Sequence, residues 1–333
     1  MSYKFNLSII SMFKNEGTII ESWIKHYLDE GVEHFYLIDN GSTDNYESII
    51  KPYINKITLV KDSTRIPAVN GVGTQQLLQN KYFLAKVKKE SKWVFICDID
   101  EYLYNSKNLY IMNEFNNLDK NYDYIQIPFI FFGSNLDKTP NNIPIELIYR
   151  EKFSNKNFWK TIIKTNHLVK IDCHNHISLN NTRKIKLNFN DNLKLNHYQI
   201  ISKEYYKNIR CIRGGGVHGC VGTYKYNKKY FDELNTNFIQ VLDKTLKIKK
   251  ELKDWWKIYN LNYNLNIKNY QDSYVHWCNN KNLNKTYKFS INNFNWQKYI
   301  NNYKDLKKRL NYNKESAWKH YLNYGIKEKR KYI

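Results

Sequence analysis

The chain is poor in the residues that punctuate backbone structure, and poor in negative charge. Of 333 residues, 5 are proline, 12 glycine, 5 cysteine and 3 methionine, and 31 acidic side chains stand against 53 basic ones. The cysteines (Cys97, Cys173, Cys211, Cys220, Cys278) are odd in number and scattered, which fits reduced thiols and not a disulfide framework. No run of about 18 apolar residues occurs, so the sequence holds no candidate membrane-spanning helix. The polar opening Met1-Ser2-Tyr3-Lys4 and the short apolar run after it lack the layout of a secretory signal. These absences predict a soluble, unprocessed, cytoplasmic protein.

What is abundant is aromatic surface. Aromatic residues make up 16% of the chain and hydrophobic residues 42%, enough to offset ordering entropy and build a core, which excludes a disordered chain. The length suggests about two domains. A formal net charge of +22 points to a polyanionic partner, although Lys, Asn, Ile and Tyr are common throughout, as an AT-rich coding sequence would also produce.

Punctuation and charge divide at one place. All five prolines precede residue 150, eleven of twelve glycines lie at or before Gly222, and neither residue occurs from Thr223 to Tyr324. Residues 1–222 carry 29 basic and 22 acidic residues, net +7, and residues 223–333 carry 24 and 9, net +15. The expectation is a many-turned α/β domain over 1–222, a helical extension over 223–290 and a short aromatic-rich helical module over 291–333. In the last, Trp296, Tyr299, Ile300, Tyr303, Leu306 and Leu310 form a helical stripe, then Ala317, Trp318, Tyr321 and Leu322, with Gly325 as C-cap.

In the first part, apolar and amphipathic runs alternate. Strands are predicted at Leu7 to Phe13, Phe35 to Ile38, Ile57 to Val60 and Trp93 to Cys97, and helices at Thr18 to Glu30, Glu47 to Tyr53 and Thr74 to Glu90. That order implies right-handed βαβ units and a largely parallel sheet, whose ligands bind beyond the carboxyl ends of the strands. At one such end, Cys97-Asp98-Ile99-Asp100-Glu101 places three carboxylates in four residues. Clustered negative charge there is costly without a cation. On an extended chain Asp98 and Asp100 point the same way and reach one hard divalent ion, Mn2+ or Mg2+; the alternative is a solvated acidic turn. After the second strand, Asp39 is either an acceptor for a base or ribose, or the cap of its own turn. No Gly-rich phosphate loop occurs, which disfavours a dinucleotide dehydrogenase or P-loop NTPase. On the strand that their segment forms, Lys160 and Lys164 read as ordinary charged residues.

Taken in order, Phe13-Lys14-Asn15-Glu16, Glu21 to Tyr27, Gly31 to Tyr36, Asp39 to Asp44 and Trp93 to Leu103 resemble the GT-A glycosyltransferases of the family 2-like and family 92 (domain of unknown function 23) group. Later blocks continue the resemblance: Phe131 to Ser134, Lys160 to Lys164, His174 to His176, Asn196-His197-Tyr198, Ser202 and Lys207 to Gly214. It implies a GT-A fold, Rossmann-like with helices flanking a mostly parallel sheet, followed by an α-helical C-terminal region. It further implies inverting transfer from a nucleotide-sugar donor, with a UDP-hexose expected, to a hydroxyl of a glycan or glycoconjugate acceptor. Asp98, Asp100 and His197 are the expected metal residues, with Mn2+ or Mg2+ on the donor diphosphate. Asn15, Glu16, Asp39, Asp98, Asp100, Arg210 and Arg213 are the expected nucleotide-sugar contacts. Glu101, His174 and His176 are the catalytic candidates, and the general base is not identified among them. The Gly-rich stretch after Arg210 reads as a lid or a linker. The basic tail is a solvated helical face or a docking surface for an acidic surface or glycan. The competing function is a basic nucleic-acid- or glycan-binding protein on a catalytically inactive GT-A scaffold; steep salt dependence on generic DNA or RNA, without nucleotide-sugar affinity, would mark it.

Overall fold

A computed structural model describes residues 3–66, 72–107, 110–152 and 158–213, together with short stretches between 232 and 250 and between 295 and 321. The chain divides into two compact units, Met1–Lys247 and Ile248–Ile333.

In the first unit the strands are β1 (Phe5–Phe13), β2 (His34–Asp39), β3 (Ile57–Lys61), β4 (Ser91–Ile96), β5 (Glu101–Asn105), β6 (Tyr124–Gly133) and β7 (Tyr149–Arg150). They continue with β8 (Trp159–Lys164), β9 (Leu168–Lys170), β10 (Ile177–Ser178), β11 (Lys184–Lys186), β12 (Leu193–His197) and β13 (Val241–Leu242). The main helices are α1 (Gly17–Asp29), α2 (Tyr46–Ile50), α3 (Thr74–Glu90) and α4 (Ile111–Leu118). The four strands predicted from the apolar runs are β1 to β4, and they pair in parallel in the order β3-β2-β1-β4. Both faces of this parallel core are buried, as βαβ crossovers require. On one face α1 lays Ile19, Ile20, Trp23, Ile24 and Tyr27 against Leu7, Ile9, Phe35, Trp93 and Phe95. On the other, α3 lays Leu78, Phe83 and Val87 against Ile10, Tyr36, Ile38, Val94 and Ile96. The result is a mixed, helix-flanked sheet of the GT-A type.

The sheet continues beyond β4 with antiparallel neighbours that the apolar pattern does not reveal. β8 pairs with β4, and β6 with β8. β12 lies between β6, to which it is parallel, and β5, to which it is antiparallel, with His197 opposite Glu101 and Asn196 opposite Tyr102. This pairing carries a residue from late in the chain to the carboxyl edge of β4.

In the second unit the described part is two short helices, Trp296–Asn302 and Lys304–Arg309, interrupted at Tyr303. The predicted stripe is therefore bent into two pieces. Tyr299, Ile300, Leu306, Ala317 and Tyr321 form a small core, and the Tyr299 hydroxyl lies 2.9 Å from His320 Nδ1. Leu310, Trp318, Leu322, Gly325 and most of the predicted extension over 223–290 lie outside the described residues.

Candidate active site

Three loops meet at the carboxyl edge of the parallel strands. After β1, Asn15 adopts the left-handed conformation (φ 56°), which its short polar side chain tolerates. Its backbone N–H donates to Ser42 Oγ at 2.9 Å, and its Oδ1 accepts from Thr43 N at 2.7 Å. Gly17 N donates to Asp44 Oδ2 at 2.7 Å. The loops after β1 and β2 are thereby fastened to each other. Asp39 accepts from Ser42 N at 2.7 Å and from the Tyr46 hydroxyl at 2.9 Å, so in the structure it caps its own turn. Glu16 is 1% exposed and accepts from the Tyr205 hydroxyl.

The third loop carries the acidic motif. It is a turn, closed by Glu101 N donating to Asp98 O at 3.2 Å, so the alternation expected of an extended chain does not apply and the two aspartates find different partners. Asp98 keeps 37% of its side chain exposed; its Oδ2 lies 3.0 Å from Lys160 Nζ, and its Oδ1 accepts from Gln75 Nε2 at 3.1 Å. Burial opposes ionisation of Asp98, but the Lys160 ammonium outweighs it and holds the carboxyl well below the usual range. The Trp23 indole N–H fixes the Asp98 carbonyl at 3.1 Å.

Asp100 is 3% exposed. Its Oδ2 lies 3.1 Å from Arg210 Nη1 and 3.6 Å from His197 Nε2. Its carboxyl is also held low, by His197 and then Arg210 against the cost of burial. Glu101 is fully buried; its Oε2 accepts from Asp98 N at 3.0 Å, and Oε1 lies 3.4 Å from Lys160 Nζ. Here burial dominates and pushes the carboxyl up. His197 packs its ring on Phe129 at 4.7 Å and Phe131 at 5.2 Å.

Asp100, Glu101 and His197 each offer a ligand atom within 4.8 Å of the others. Among the described residues, Glu101 Oε1 is buried without a hydrogen-bond partner, a cost that a bound cation would remove. Two carboxylates and an imidazole suit Mn2+ or Mg2+, so the residues present fit the expected ion.

The structure thus joins Asp98, Asp100, Glu101, His197 and Arg210 through direct contacts, with Glu16 on their border through Tyr205. Burial, and then the Asp100 carboxylate, push the Tyr205 phenol up. Asn15 and Asp39 stand in the two interlocked loops beside this cluster. His174 is exposed, lies edge-on to Phe129 at 6.4 Å and places Nδ1 3.2 Å from the Trp159 carbonyl. His176 is buried, accepts from Asp172 N at 3.1 Å, and is lowered by burial to a pKa of about 4. Arg213 ends the last described helix before the Gly-rich stretch, and its side chain, like that stretch, lies outside the described residues.

Sequence reading missed Lys160, Gln75 and Tyr205. Lys160 was legible in one respect: it sits inside the apolar run Trp159-Lys160-Thr161-Ile162-Ile163, where even spacing puts it on the same strand face as Ile162, and a lysine at a core position needs a buried acid.

The family model described as glycosyltransferase family 92 matches residues 4–251. Among solved structures, S. aureus TarS 1-349 is similar at 18% identity over 48% of this chain and 47% of its own, with a TM-score of 0.30. TarS 1-349 in complex with UDP gives 17% identity, 55% and 60% coverage, and a TM-score of 0.31. Glucosyl-3-phosphoglycerate synthase from Mycobacterium tuberculosis, in complex with Mn2+ and UDP-glucose, gives 15%, 49% and 57%, and 0.29. The chain spans about half the length of these solved chains. No curated protein matches it. Among the described residues, no helix is long and apolar enough to cross a membrane.

Proposed function

Because the chain belongs to glycosyltransferase family 92, we propose that it is a metal-dependent, inverting glycosyltransferase that moves a sugar, a hexose of a UDP donor, to a hydroxyl of a glycan or glycoconjugate. The observation that carries this reading is the group of Asp100, Glu101 and His197 at the carboxyl edge of the parallel strands, where open α/β sheets take their ligands.

Asp100, Glu101 and His197 would hold the ion. When bound, it supplies neutralisation of the charge that develops on a departing nucleoside diphosphate. The remaining work falls to the chain itself. The loops after β1 and β2, locked by Asn15, Ser42 and Thr43, form a rigid rim for base and ribose, with Asp39 holding the second loop in place. Arg210 reaches the same edge from the far side as a candidate phosphate contact, and Arg213 is proposed for the same role from the sequence alone.

An inverting transfer also needs a base for the acceptor hydroxyl. Glu101 is buried and engaged, and His176 uses Nδ1 to accept a backbone N–H. His174 fits best: with its Nδ1–H donated to the Trp159 carbonyl, the Nε2 lone pair of an exposed ring is left to accept a proton. Incubation with Mn2+ and a panel of UDP-, GDP- and TDP-sugars, with nucleoside diphosphate release as the readout, tests the proposal. Donor-dependent release with UDP-sugars supports it; no release from any donor, with or without acceptors, overturns it.

A further inference from the structure

The acidic motif contributes one carboxylate more than the proposed ion needs, and that carboxylate has a cation of its own. Lys160 enters from β8 with 1% of its side chain exposed, its Nζ 3.0 Å from Asp98 Oδ2 and 3.4 Å from Glu101 Oε1. A buried ammonium persists only where acids pair with it. Both Asp98 oxygens are engaged, one by Lys160 and one by Gln75. Glu101 Oε1 differs: although Lys160 lies nearby, the oxygen is buried without a hydrogen bond among the described residues, so it remains available to a second cation.

We infer that Lys160 is a positioning residue that removes Asp98 from the ion's ligand set by pairing with it. Asp100, Glu101 and His197 then hold the ion by themselves, and hold it weakly until a nucleoside diphosphate adds its negative charge. Only the nucleotide clause rests on the function proposed above. The Asp98–Lys160 pair is neutral as a unit, whereas either member alone acts on a divalent ion a few ångströms away. In a partly buried site, one unit charge at that range shifts ion affinity by about tenfold or more.

The test is Mn2+ binding by the full chain, followed by the electron paramagnetic resonance signal of free Mn2+, which requires no turnover. Lys160→Met is expected to bind Mn2+ at least about tenfold more tightly than wild type, and Asp98→Asn more weakly, because Lys160 is then unopposed. The double variant Lys160→Met/Asp98→Asn exchanges one neutral pair for another and is expected to stay within about threefold of wild type. It also keeps the test alive where a single variant fails to fold by circular dichroism. A double variant that binds more than about tenfold more weakly makes Asp98 a ligand and overturns the inference, as does absence of Mn2+ binding at millimolar concentration in both wild type and Lys160→Met. Wild-type protein that binds Mn2+ but gains no affinity from added UDP removes the nucleotide reading and leaves the assignment of Lys160 standing.

Discussion

The Arg210–Asp100 pair offers a sharp energetic test, because both side chains are nearly excluded from water, at 8% and 3% exposure. Arg210→Met keeps the length of the aliphatic stem and removes the guanidinium. It leaves Asp100 with His197 Nε2, at 3.6 Å, as its remaining neighbour in the ion-pair network. Breaking a buried pair from one side costs about 3–5 kcal/mol, mostly from the uncompensated charge left behind. The Gln199 carbonyl, which accepts from Arg210 Nη1 at 3.2 Å, adds roughly 1 kcal/mol as a buried acceptor left without that donor. Against a total stability of about 5–15 kcal/mol, this loss is readily measured by urea denaturation. Removing the charge as well, in Arg210→Met/Asp100→Asn, should recover most of the loss but not the Gln199 share. The sign of the pH effect follows from Asp100, whose folded carboxyl lies below its ordinary value of 3.8. A depressed carboxyl contributes stability that is present above the unfolded value and is lost as pH falls through the folded one. The gap between wild type and Arg210→Met is therefore widest near neutrality and closes below about pH 4. A single-variant loss under about 1 kcal/mol, or a double variant no more stable than the single, would refute this account.

Three further outcomes are expected. Asp100→Asn should lower Mn2+-dependent release of nucleoside diphosphate from a UDP-sugar by about a hundredfold or more with an unchanged circular dichroism spectrum; activity within a few-fold of wild type would remove Asp100 from the site. Tyr205→Phe deletes the hydroxyl that donates to buried Glu16 and should cost about 1–3 kcal/mol in urea denaturation, whereas a neutral result would show that Glu16 repairs its bonding elsewhere. Gly41 has φ +79°, and an added Cβ would meet Ser63 Cβ at 3.0 Å, so Gly41→Ala should destabilise by roughly 1–2 kcal/mol; a stabilised variant would contradict the strained turn.

Local pattern carried the parallel half of the fold because each of its strands is a near-continuous apolar run and each crossover has helical length. The predicted helix over Thr74 to Glu90 coincides with α3, and the other elements differ by a few residues at their ends. The antiparallel half was hidden for a physical reason. β5 and β12 pair across some 90 residues, and nothing in either segment alone records its partner. The acidic motif was legible from composition at a strand end, but its conformation was not: the backbone closes a turn between Asp98 and Glu101, which separates carboxylates that an extended chain would align. Lys160 read as an ordinary charged residue because its significance lies in Asp98 and Glu101, about 60 residues earlier.

The separation between Asp100 and Arg210 also has a temporal meaning. The two side chains that meet at 3.1 Å are 110 residues apart in the chain, and a ribosome adding about 5–20 residues per second needs roughly 6–20 s to make the second after the first. Over that interval a nascent chain carries the acidic turn without its arginine. Assembly of the site is accordingly a late step of synthesis, and a chain that stops short of Arg210 carries one positive charge fewer beside Asp100 than the finished protein.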